Sequence, residues 1–144
     1  MAITQALPNS FKKQLLDGDQ DFSSAGGDKF KLALYVSTAT LGAATTSYTT
    51  SGEVSSSGTG YTTGGKALVN SGTSVVSTTA FTDFADLSFQ NVTLTARGAL
   101  IYNTSFSNAA VAVLNFGTDK TATSGTFTIQ FPAFTSSAAI IRIS

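Results

Sequence analysis

Residues 29–36 read KFKLALYV, and their alternation constrains the fold more than any other stretch of the chain. Phe30, Leu32, Leu34 and Val36 fall on one side of an extended backbone, and Lys29, Lys31, Ala33 and Tyr35 on the other. A period of two is the signature of a strand with one buried and one wet face. Further strand signals follow at 66–70, 74–78, 80–84, 87–89, 92–103, 109–117, 126–131 and 139–143, with Gly72, Asn108, Gly117 and Gly125 between or ending them. Thr and Ser supply 23 and 19 of the 144 residues. Branched Thr suits a pleated surface, and Ser with Gly suits turns. The pattern predicts an all-β domain over residues 23–144, a β-sandwich or jelly roll. Gly98, inside VTLTARGALIYN, is expected to mark a bulge or a close backbone approach. Val92, Leu94 and Ala96 are expected to share a face with Gly98, Leu100 and Tyr102. Residues 37–66 read as a long connection with one short strand near Glu53 and a flexible glycine-rich end.

Residues 1–22 differ from the rest. Pro8-Asn9-Ser10 is suited to start a short helix, and Asp17-Gly18-Asp19 to end it. The segment is expected to be an arm, helical or extended, that lies on the body or reaches a neighbour. Its deletion is expected to leave the body folded. Phe11, Lys12, Lys13, Leu15 and Leu16 are its candidate partner contacts. Arg97, one of only two arginines, is a further candidate, with a paired position on a wet face as the plain alternative.

Composition narrows the function. The chain has no Cys and no His, so the usual nucleophile–imidazole pairs and the usual zinc ligands are missing. No enzyme activity, cofactor or metal site is expected. Eight basic and eight acidic residues are scattered without a basic stripe, which argues against nucleic acid. No apolar run is long enough for a membrane span, and the first residues do not read as a signal peptide, so synthesis in a cytoplasm is expected. Charged residues are only 11% of the chain, against roughly 25% in an ordinary soluble domain. A surface so poor in charge suits a protein built into something larger.

Four motifs have plain readings that outweigh the functional ones. Asp17-Gly18-Asp19-Gln20-Asp21 opens like a calcium loop, but Phe22 stands at the turn glycine and Asp28 at the terminal Glu. Gly58 to Lys66 runs into a strand signal rather than a helix, unlike a phosphate loop. Asp83 and Asp86 are spaced like strand-end residues that satisfy turn amides rather than like a glycosidase pair. Asn91-Val92-Thr93 and Asn103-Thr104-Ser105 fit the glycosylation pattern by chance.

MAITQALPNSFKKQLLDGDQDF, KFKLALYVSTATL, GTGYTTGGKAL, LTARGALIYN and AVAVLNFG resemble a family of small virion proteins of tailed bacteriophages, over nearly the whole chain. The family resembles capsid cement (decoration) proteins with a jelly-roll body. That resemblance implies binding to the major capsid protein on the capsid exterior, and self-association, as a dimer in preference to a trimer. A tail or baseplate component and a carbohydrate-binding β-sandwich are the alternatives. The second would want exposed aromatics in a groove, and the chain has no Trp.

Overall fold

A computed structural model describes residues 2–144. One helix, α1 (Asn9–Asp17), precedes seven strands: β1 (Phe30–Tyr35), β2 (Lys66–Ala67), β3 (Asn70–Val76), β4 (Thr79–Phe84), β5 (Leu87–Asn103), β6 (Ala109–Ile129) and β7 (Ile141–Ile143). They form a four-stranded sheet, β2-β1-β5-β6, and a three-stranded sheet, β3-β4-β7. All named pairs are antiparallel. The fold is the expected all-β sandwich with a short N-terminal helix.

The larger sheet is buried on both faces along β1, the C-terminal half of β5 and the start of β6, and is exposed on one face elsewhere. Phe30, Leu32 and Leu34 of β1 face the main core with Phe84, Phe89, Phe127 and Phe131. Ala33 and Tyr35, expected on the wet face, lie in a second cluster with Ile3, Ala39, Leu41, Leu100 and Val113. The difference has a physical cause. Residues 36–65, a long connection with few ladder bonds of its own, fold back over the outer face of the sheet. Isolated bridges Tyr35↔Glu53, Ser47↔Ala109 and Ile3↔Leu41 pin this cover.

Strand β5 departs from simple alternation. Leu87 and Phe89, then Val92, Leu94 and Ala96, then Ala99 and Ile101 all join the main core. The face changes at two ladder irregularities, Phe89/Val92 and Ala96/Gly98. Leu100 and Tyr102 therefore lie on the opposite face from Val92, Leu94 and Ala96, contrary to the even-numbered expectation. Gly98 sits at the second irregularity, and a Cβ there would lie 2.5 Å from the Leu114 carbonyl oxygen and 2.9 Å from Ile3. Bulge and close approach thus coincide at this glycine.

The N-terminal segment is part of the body. Helix α1 ends at Gly18, whose φ of 80° is the left-handed cap that glycine adopts without strain. Ala6 exchanges N–H···O bonds with Val113 (3.1 and 2.9 Å). Phe11 is fully buried and packs edge-on to Phe22, their centroids 6.0 Å apart; Phe22 in turn stacks on Phe30 at 4.7 Å. Of its two expected positions the segment takes the one on the body, and Phe11 is a core residue rather than a partner contact.

Candidate functional site

The long connection is organised by one carboxylate. Glu53 is the chain's only glutamate, and its four tyrosines gather beside it. Its Oε1 accepts from the Tyr61 hydroxyl (2.7 Å) and from the Gly64 amide (2.7 Å), and its Oε2 from the Tyr48 hydroxyl (2.6 Å). The Tyr61 oxygen accepts from the Leu34 amide (3.0 Å), which ties the cluster to β1. Tyr102 donates to the Gly64 carbonyl (2.6 Å), and Tyr35 to that of Thr49 (2.6 Å). The Tyr48 and Tyr102 rings stack at 4.6 Å.

Burial first, and then the hydrogen bond to Glu53, raises the pKa of Tyr61 and of Tyr48. Burial, and then the Glu53 charge, raises Tyr35 as well, and pushes Tyr102 up to about 12. All four phenols are neutral donors around an anion. That arrangement fastens a loop to a sheet.

Gly65 completes the fastening. Its φ is 81°, and a Cβ there would meet the Leu32 carbonyl oxygen at 1.8 Å. The glycine-rich stretch expected to be a flexible loop is therefore a tight strap across β1. No helix follows it, as a phosphate loop needs; Lys66 begins β2 and donates to the Ser88 carbonyl.

The carboxylates singled out in the sequence hold backbone. Asp21 Oδ1 accepts from the Ser23 amide and hydroxyl, and Asp28 Oδ2 from the Asp21 amide and the Asn103 side chain. Among the described residues, no three His, Cys, Asp or Glu side chains group as metal ligands would. Asp86 accepts from the Phe131 amide (2.8 Å), and Asp83 from the Phe84 amide (2.9 Å). Asp83 is 1% exposed, and its Oδ2 has no hydrogen-bond partner among the described residues. Burial raises its pKa; the Phe84 and Ile140 amides oppose that, the latter from outside good hydrogen-bonding geometry.

The candidate contacts separate. Lys13 pairs with Asp17 one turn along α1, Lys12 is exposed, Leu15 is half-buried against the core, and Leu16 is 90% exposed. Arg97 donates to Asp119 across the hairpin (2.8 Å) on a wet face. Two surface features were not legible in advance. One is a row of exposed apolar residues: Val75 faces Ala80, and Ala80 faces Ile143, so the three lie side by side across β3, β4 and β7. The other is the outer edge of β6, which makes no backbone bond outside the β5 ladder beyond Asn115 among the described residues. The signal for the first was present in the spacing of Val75 and Ile143, but only strand order brings them together.

Compared with known proteins, the chain matches no protein-family model, no curated protein and no solved structure.

Proposed function

We propose that the chain is a structural protein of a bacteriophage particle, a capsid cement (decoration) protein that binds the major capsid protein and stabilises the head. The observation that carries an assembly role is the exposed row Val75–Ala80–Ile143, with Val75 at 65% and Ile143 at 56% exposure. Val76 and Phe134 are exposed on the opposite face of the same sheet, since Val76 faces Thr79 and Phe134 packs on Phe81. Apolar surface gathered in one place on a small protein marks a surface that another protein covers. Low charge lowers the desolvation cost of covering it. The phage particle as the setting is supported by the resemblance of the strings quoted above. Many copies, each burying on the order of 1,000 Å2, would act together across capsomer seams.

Electron microscopy of the particle tests the reading. Density for this chain on the head exterior supports it. Density in the tail or baseplate, or none on the particle, refutes it. The double variant V75D/I143D should keep its fold by circular dichroism and lose binding to particles stripped of the native protein.

A further inference from the structure

The edge of β6 forms one wall of a groove of about 530 Å3, bordered also by Gln5, Pro132 and Ile140. That volume lies within the range of binding clefts, roughly 300–1,000 Å3. Leu114, Phe116, Phe127, Ile129, Phe131 and Ile140 contribute apolar lining. Residues 126–132 line it without a break. Side chains of a strand alternate between faces, so a consecutive run can border one groove only where the groove follows the strand's edge. The backbone itself is therefore part of the wall.

That backbone is unpaired on its outer side. The N-terminal segment bonds β6 at Val113, and Asn115 reaches Gln5 and Ile3. From Phe116 to Gln130, no backbone group outside the β5 ladder bonds to it among the described residues. Residues 116–119 bulge opposite Arg97, so the usable edge is 120–130, itself broken by a second bulge at Thr123–Ser124, where Ser124 has a φ of 46°. Lys120 is exposed and is the one ionisable side chain in the lining.

We propose that this groove docks an extended segment of a partner protein. The segment adds a strand to the 120–130 edge, seats alternate apolar side chains in the groove, and sets a carboxylate at Lys120. A row of free amides and carbonyls favours a peptide over an acyl chain, which has no ladder to offer. The inference deepens the function proposed above by giving the chemistry of the partner segment. It concerns a groove on the isolated protein, so it fails or stands separately from the chain's place in a particle.

The test is selection from a randomised decapeptide library on the full chain. The selected peptides should alternate apolar residues and carry Asp or Glu. Binding should slow amide exchange across 120–130. N-methylating alternate peptide amides should weaken it at least tenfold. Lys120→Glu, an exposed change that leaves the core intact, should reverse the preference from an acidic peptide to its Lys counterpart. Several results would overturn the proposal: no enriched peptide, protection elsewhere, indifference to N-methylation, or an unchanged preference in K120E. Lys120-dependent binding of oleate without any peptide binding would overturn it as well, assigning the groove to an anionic amphiphile.

Discussion

Replacing Glu53 tests whether one carboxylate holds the cover on the sheet. In Glu53→Ala, three donors lose their acceptor: the Tyr48 and Tyr61 hydroxyls and the Gly64 amide. Tyr48 is half-buried and can turn to water, whereas Tyr61 is 2% exposed and cannot. A buried donor left unsatisfied costs roughly 1–3 kcal/mol. With Tyr61 and Gly64 both stranded, the loss is about 3 kcal/mol, a large part of a small domain's stability. Glu53→Gln separates charge from hydrogen bonding. Its amide oxygen retains the bonds at the Oε1 position, and only the Tyr48 side must rearrange, so the cost is about 1 kcal/mol. Urea unfolding followed by tyrosine emission is the assay. The chain has no Trp, and every tyrosine belongs to this cluster, so emission reports on it alone. A loss under about 1 kcal/mol in E53A, or equal losses in the two variants, would refute the argument.

Gly65→Ala, strained at positive φ and colliding with the Leu32 carbonyl, should cost at least about 3 kcal/mol, while Gly58→Ala, at φ 70° in open space, should cost about 1 kcal/mol; thermal melts compare the two. Tyrosine in an unfolded chain ionises near pH 10, and the folded values are higher, so this stabilisation is complete below about pH 10 and lost as pH rises through the folded values. For Tyr102, at about 12, it amounts to about 2–3 kcal/mol, and phenolate absorbance should appear together with unfolding. Asp83→Asn removes a buried charge with an unpartnered oxygen and should stabilise by about 1 kcal/mol at neutral pH. Because the folded Asp83 pKa is raised, wild-type stability should fall between the unfolded value, near pH 4, and the folded one, and that fall should vanish in the variant's pH-dependent urea midpoints. Phe11→Ala should cost about 3–5 kcal/mol, and a chain lacking residues 1–22 should fail to show a cooperative unfolding transition, since it loses Ile3, Phe11 and Phe22.

Periodicity located most strands. The KFKLALYV alternation contains β1, and the runs near 80–84 and 139–143 contain most of β4 and all of β7. It also split two long strands, because Gln90-Asn91 and the stretch after Gly117 look like ends when they are irregularities within β5 and β6. Burial of both faces of β1 was hidden for a different reason. The cover is a polar connection whose grip comes from side-chain hydrogen bonds, and such bonds have no sequence period. A lone Glu among four scattered tyrosines was the available signal. Phe11 read as a contact because the face of an amphipathic helix does not say whether it meets its own chain or another. Arg97 pairs with Asp119 across the hairpin, a partner that spacing alone does not show.

The two face changes in β5 behave like phase steps. Each advances the inward position by three residues where two is regular, and together they add one whole period. The ends of the strand, Leu87 and Ile101, therefore keep the same parity, while the segment from Val92 to Ala96 runs out of phase with both. A one-residue deletion inside that segment would turn part of it inside out, exposing Val92 or Leu94 and burying Thr93 or Thr95. The same deletion at Gln90 or Asn91 merely removes a step that is already there. A change of length in this strand is therefore absorbed with least disruption at its dislocations.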